Sequence, residues 1–152
     1  MTTKRKILVT GGAGYIGSHM VLALLDAGHE PVILDNFSTG HDILVPEGVT
    51  VVRGDVGDRH VTDALFAAHD FDAIAHFAAS IIVPESVADP LKYYINNTLS
   101  TAHLIAACVK AGVKRFIFSS TAMVYGNQDQ KPMDESVHLA PDNPYGASKL
   151  MS

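Results

Sequence analysis

Short runs of β-branched and other apolar residues alternate along this chain with longer segments whose apolar positions recur at helical spacing. Lys6 to Val9, Val32 to Leu34, Val49 to Arg53, Ala73 to Phe77 and Phe116 to Ser119 read as strands. Tyr15 to Ala27, Thr62 to Ala68 and Leu91 to Ala111 read as helices, the first stopped by Gly28 and the last by Gly112. The overall pattern reads as βαβαβαβαβ, with no helix range assigned between the second and third strands. Asn127 to Asp142 is polar and carries prolines, so it reads as a loop. Beyond it Asn143 can cap a new helix through its side-chain oxygen, with Pro144 at the first helical position where no N–H is needed.

Parallel neighbours need crossover connections, and helices supply them while covering both faces of the sheet. The pattern therefore predicts an α/β fold, a doubly wound parallel sheet of Rossmann type with helices on both faces. The last predicted helix reaches Ser152 within about two turns of its start. A doubly wound sheet ordinarily continues into a further strand. Residues 1–152 are accordingly expected to be one domain, the N-terminal part of something longer.

Composition narrows the function. At 152 residues the chain has the size of one domain, and 47% hydrophobic against 18% charged residues excludes a disordered segment. Eleven Lys and Arg against 16 Asp and Glu give a net charge of -5, so neither nucleic acid nor an anionic membrane is an expected partner. The lone Cys108, beside Ala106, Ala107 and Val109, reads as a packed thiol rather than a nucleophile. The eight histidines show no close ligand spacing, and no metal is expected. Lys4, Arg5 and Lys6 precede an apolar segment too short for a secretory signal, and no apolar run approaches the roughly 18–20 residues of a membrane span. A cytoplasmic protein is the expectation.

Three groups of residues carry candidate chemistry. Thr10-Gly11-Gly12-Ala13-Gly14-Tyr15-Ile16-Gly17 is a glycine-rich turn between a strand and a helix, where backbone can approach a pyrophosphate and the helix start can receive it. Asp35 ends the second strand about 20 residues on, the place where a carboxylate accepts hydrogen bonds from an adenosine ribose. Such a carboxylate repels the extra phosphate of NADP, and no arginine stands beside it in the sequence, so NAD is the expected cofactor. Asp55 and Val56, after the third strand, read either as an adenine contact or as part of a surface turn with Gly54, Gly57 and Asp58. The second group is Tyr145-Gly146-Ala147-Ser148-Lys149, with phenol and amine four apart on one helix face. An ammonium beside a phenol favours the phenolate, so Tyr145 can serve as a base. Ser119-Ser120-Thr121 is the third, at the carboxyl end of the fifth strand, where ligands of open α/β sheets bind.

With these motifs the sequence resembles the extended short-chain dehydrogenase/reductases over essentially its whole length, and within them the nucleotide-sugar 4-epimerases. Besides the glycine and Tyr/Lys motifs, the resemblance is carried by Leu-Asp-Asn at 34–36, Gly-Asp-Val at 54–56 and His-Phe-Ala-Ala at 76–79. Pro-Glu-Ser-Val at 84–87, Tyr-Tyr-Ile-Asn-Asn at 93–97 and Phe-Ser-Ser-Thr-Ala-Met-Val-Tyr-Gly at 118–126 narrow it. The resemblance implies that Gly11, Gly14 and Gly17 hold the pyrophosphate with backbone help from Tyr15 and Ile16. It further implies that Asp35 and Asn36 contact the ribose, Asp55 and Val56 the adenine, and that Phe77, Ala78, Ala79, Asn96 and Ser119 line the cofactor. Tyr145 would be the base, Lys149 its partner and a contact of the nicotinamide ribose, and Thr121 a hydrogen-bond partner of the reacting oxygen. Ile81 stands where some members of the family have a lysine.

The activity so implied is interconversion of UDP-glucose and UDP-galactose, a step of galactose metabolism, by transient NAD-dependent oxidation at C4 of the sugar. The substrate domain would lie beyond Ser152, so the chain alone is expected to be inactive, and a homodimer through the long helix is an expectation for the complete protein. A nucleotide-sugar 4,6-dehydratase or a reductase is the nearest alternative, but dehydratases carry an Asp-Glu pair where this chain has Ala122 and Met123. An NAD-binding sensor without chemistry is a reading from another class, and the presence of both Tyr145 and Lys149 opposes it.

Overall fold

Strand β1 (Lys6–Thr10) runs through the middle of a five-stranded, fully parallel sheet in the computed structural model, which describes residues 3–128 and 132–152. Its neighbours are β2 (Glu30–Asp35) and β4 (Ala73–His76), flanked by β3 (Thr50–Arg53) and β5 (Phe116–Phe118), giving the order β3-β2-β1-β4-β5. Side chains alternate between faces along each strand, which divides the core in two. Leu8, Val32, Leu34 and Ile74 meet Leu65, Leu104 and Cys108 on one face, whereas Val9, Ile33 and Ala75 meet Val21 on the other. Because both faces are covered, the strands read as unbroken apolar runs. The doubly wound fold expected from the sequence is the fold observed.

Helix α1 (Tyr15–Asp26) follows β1, and α2 (Arg59–Ala68) links β3 to β4. Between β2 and β3 the predicted alternation fails, since the connection holds only a single 3-10 turn, Asp42–Leu44. Gly40, Pro46 and Gly48 leave that segment too few helix formers for a covering helix. A short helix α3 (Val83–Ala88), with Pro84 in its first turn, also lay outside the reading; six residues are too few to display a helical period. The long helix starts at Pro90 and is not uniform. It comprises α4 (Pro90–Tyr93), a π-helical turn (Tyr94–Leu99) and α5 (Ser100–Lys110), ended by Gly112 at φ 76°. The last helix, α6 (Pro144–Met151), begins as expected, with the Asn143 side chain accepting from the Gly146 N–H at 2.8 Å. Of the predicted loop, positions 129–131 lie outside the described residues.

The described chain divides into two units. One holds the residues up to Ala78 with His103–Ser119, and so the whole sheet; the other holds Ala79–Ala102 with Ser120–Ser152. Cys108 lies in the first, buried, with its thiol pushed up to about 11 by desolvation, as a packed and unreactive cysteine should be.

The tightest point of the sheet unit lies between β1 and α1, where a Cβ on Gly17 would fall 2.1 Å from the Gly11 carbonyl oxygen. Gly17→Ala is therefore expected to lower the unfolding free energy by about 1–3 kcal/mol, the usual cost of overpacking. Urea titration followed by circular dichroism measures this, and a variant as stable as the parent would show that the turn can open at no cost.

Candidate active site

The sheet unit builds a cradle from backbone. Gly11 takes φ 70°, its N–H donates to the Leu34 carbonyl at 2.9 Å, and the Gly14 N–H donates back to the Gly11 carbonyl at 3.1 Å. This turn lies so close to the end of β4 that a Cβ on Gly11 would meet the Ala78 nitrogen at 2.7 Å. Helix α1 then opens at Gly14 without a side-chain cap and without an acidic residue in its first turn, which leaves its first N–H groups without a side-chain partner from that turn. Tyr15 and Ile16, on that first turn, are largely exposed. Phe77 and Ala78 are fixed to β1, the Phe77 N–H donating to the Thr10 carbonyl at 3.0 Å and the Ala78 N–H to Thr10 Oγ1 at 3.3 Å. Thr10 Oγ1 also lies 2.5 Å from Nδ1 of the buried His76. Ser119 joins the same strand ends, its N–H donating to the His76 carbonyl at 3.1 Å.

Asp35 serves this cradle from β2. Its Oδ2 accepts from the Ala13 N–H at 2.9 Å and its Oδ1 from the Phe37 N–H at 2.8 Å, which holds the buried carboxylate against the glycine turn. Asn36 turns outward and donates to Asp55 Oδ2 at 2.8 Å, while Asp55 Oδ1 accepts from the Gly57 N–H at 2.7 Å. Asp55 thus belongs to the turn after β3, and its carboxylate ties that turn to Asn36 at the end of β2. Val56 packs into the core, so only its backbone is free for a ligand. Across the sheet Asp35 does have an arginine beside it, because Arg53 is its register partner on β3. The linear sequence hides this neighbour. A glycine cradle, an uncapped helix start and a fixed carboxylate fit the pyrophosphate and ribose of a dinucleotide.

The second unit carries Tyr145 and Lys149, the candidate acid–base pair. Tyr145 and Lys149 lie on α6, respectively 9% and 5% exposed. Burial pushes the Lys149 amine down to about 8, because an ammonium loses hydration there. Between them the buried Ser148 donates from Oγ to the Tyr145 carbonyl at 2.7 Å and accepts from Asn97 Nδ2 at 3.0 Å. Asn97 Nδ2 also donates to the Ser80 carbonyl at 3.0 Å, and Asn97 Oδ1 accepts from the Ser80 N–H at 2.8 Å. Asn96 donates to Ser80 Oγ at 2.9 Å, so two successive residues of the π turn grip one serine just after Ala79. In a regular helix neighbours point about 100° apart, and the wider π turn brings both within reach.

The fully buried Tyr93 ring stands edge-on to Tyr145, with centroids 6.3 Å apart and planes at 82°. Its hydroxyl accepts from the Ile82 N–H at 2.9 Å and lies 2.7 Å from Glu85 Oε2, and burial with that carboxylate pushes its phenol up to about 12. Thr121 caps the 3-10 turn Ala122–Tyr125, its Oγ1 accepting from the Met123 N–H at 3.3 Å with the hydroxyl proton still to donate. Ile81, where some relatives carry lysine, is exposed.

Within the sheet unit the structure gathers Gly11, Gly14, Gly17, Asp35, Asn36, Asp55, Phe77, Ala78 and Ser119 at the carboxyl ends of the strands. In the other it joins Asn96 to Ser80 and Tyr145 to Ser148. Sequence reasoning did not give Asn97, Ser148, Tyr93 or Arg53 a role. Two adjacent asparagines inside an apolar helix were the available signal, since asparagine is a poor helix former that survives there when its amide is satisfied. Among the described residues no group of three His, Cys, Asp or Glu is placed to hold a metal, and no helix is long and apolar enough to cross a membrane.

Known proteins share this fold. The chain is 50% identical over 147 residues, 97% of its length, to a UDP-glucose 4-epimerase of Azospirillum brasilense, of which it covers 42%. The UDP-Glc/GlcNAc 4-epimerase of Campylobacter jejuni superposes with a TM-score of 0.93 at 49% identity, over 97% of this chain and 46% of that one. The Thermus thermophilus UDP-glucose 4-epimerase, solved in complex with NAD, gives 0.91 at 38% identity, over 95% of this chain and 47% of that one. The chain thus spans less than half the length of these relatives. The model of the NAD dependent epimerase/dehydratase family matches residues 7–152, and the chain belongs to that family.

Proposed function

We propose that this chain provides the NAD-binding and proton-transferring part of an enzyme that interconverts UDP-glucose and UDP-galactose. The observation that carries the reading is Lys149, an amine buried on the same helix as Tyr145 and held near pKa 8, where an ammonium can still form and act on a phenol. The glycine turn receives the pyrophosphate of NAD and Asp35 its adenosine ribose, with Asn36, Asp55 and the Val56 backbone toward the adenine. NAD, when bound, supplies a hydride acceptor for C4 of the sugar and returns the hydride to the opposite face of the 4-keto sugar.

Tyr145 takes the proton of the 4-hydroxyl as C4 is oxidised and gives it back when C4 is reduced, so neither protons nor electrons accumulate. The Lys149 ammonium favours the phenolate that this step requires. Thr121 donates its free hydroxyl proton to the same sugar oxygen. Dehydration would need a further acid and base, and the 3-10 turn after Thr121 offers Ala122 and Met123, which exchange no protons. A sensor would have no use for the buried amine.

Three outcomes follow from this division of roles. With the sequence carried at the length of its relatives, Tyr145→Phe is expected to lower turnover by at least about a thousandfold while leaving the Kd for NAD within about threefold, since the hydroxyl acts on the sugar and not on the cofactor. A coupled assay for UDP-glucose formation and calorimetry with NAD measure the two, and near-normal turnover would remove Tyr145 as the base. In the same enzyme kcat is expected to fall as pH rises through about 8, because deprotonation of Lys149 withdraws the charge that favours the phenolate. Amine-selective NMR should show Lys149 titrating there, and titration above pH 10 with no alkaline fall in rate would separate the lysine from the step. The 152-residue chain alone should bind NAD without epimerising UDP-galactose, for uridine contacts that align the sugar are expected in the part its relatives have in addition. Multiple turnovers by the purified chain would show that alignment to be unnecessary.

A further inference from the structure

Arg53 and Asp35 are register partners at the carboxyl ends of β3 and β2, and both touch the turn that follows Asp35. The Arg53 guanidinium stacks over the Phe37 ring, 3.8 Å from its centroid, and pairs with Asp42. Phe37 is the one non-glycine residue at positive φ among the described residues, at 56°. A bulky residue in the left-handed region is strained and persists only where its surroundings hold it. Here the Asp35 carboxylate holds its N–H at 2.8 Å and the guanidinium covers its ring. One turn of chain thus carries a buried carboxylate on its inner side and an exposed cation on its ring.

We propose that Arg53 is a second determinant of the dinucleotide this site takes, a cation that favours a 2′-phosphate on the adenosine ribose and opposes Asp35. Selection between NAD and NADP is then a balance of two charges rather than the effect of one carboxylate. The inference rests on the cofactor reading above. Asp42 does not disable the cation, because both partners are exposed and such a surface pair is weak and screened by solvent. A phosphate with its higher charge and forked geometry can replace it. Asp35 prevails in the native chain because it is buried, where its field is less screened than that of Arg53.

Calorimetry with NAD and with NADP on the 152-residue chain tests this without reference to turnover. Asp35→Ala is expected to move the ratio of the two affinities toward NADP by about tenfold or more, and Asp35→Ala combined with Arg53→Met should lose most of that gain. Because Asp35 also holds the Ala13 and Phe37 N–H groups, its removal alone can unfold the turn. Arg53→Met leaves those bonds in place and keeps an unbranched stem over Phe37. By itself it should move the ratio about fivefold further toward NAD, the difference shrinking with added KCl. An unchanged ratio in Arg53→Met, in a chain that binds NAD, overturns the role of Arg53 and leaves the cofactor reading intact. A parent chain that binds neither nucleotide overturns both.

Discussion

Backbone lies directly on backbone where β1 turns into α1, and the sheet unit is arranged around that contact. The Gly11 carbonyl occupies the space a Gly17 side chain would need, while Gly11 itself lies against the Ala78 nitrogen. Without this double approach α1 could not start so near the sheet, and the helix start would not face the ends of the strands. Asp35 reaches the Ala13 N–H only because the turn is held down, and the 36–42 segment then returns so tightly that the His41 N–H donates to the Ala13 carbonyl at 3.0 Å.

The other unit is organised by one buried amide. Asn97 is 2% exposed, and both its donors and its acceptor are used, so it joins the segment after β4 to the middle of α6 with no polar group left over. An apolar side chain there would leave the Ser80 N–H and carbonyl without these partners, at a cost of about 1–3 kcal/mol for each buried polar group so exposed to want. The π turn is the backbone's share of the arrangement. A regular helix would point Asn96 and Asn97 to different neighbours; the wider turn lets both serve Ser80, and Thr98 Oγ1 adds a 3.0 Å bond to the Ser148 carbonyl. The carbonyl of Tyr145 and that of Ser148 are thereby both held.

What could be read in advance follows from the range over which each signal acts. Leu8, Val32, Ile33 and Leu34 announce themselves because a strand buried on both faces is apolar at every position. The Asn143–Pro144 start was legible because capping is settled within four residues. The 36–49 connection misled through the expectation that every parallel pair is joined by a helix, which a tight 3-10 turn satisfies here in fewer residues. Of the site, the glycines and Asp35 were legible as a local motif. Arg53 was not, for it lies 18 residues from Asp35 in sequence and is brought beside it only by sheet register. Asn97 and Ser148 escaped for the same reason, their partnership spanning 51 residues.

Asp35 and Lys149 show two ways of burying a charge. Asp35 faces two backbone N–H donors, fixed dipoles that support an anion in the interior without having to reorient. The direction of that carboxylate is thereby set by the fold. Lys149 is governed by desolvation, which brings its amine within about a unit of neutrality at physiological pH. A charge so weakly held responds to what happens beside it, so the appearance of a phenolate on the same helix changes its free energy far more than it would change that of a solvated lysine. The fixed charge therefore sits against the glycine turn, and the adjustable one on the helix that carries the phenol.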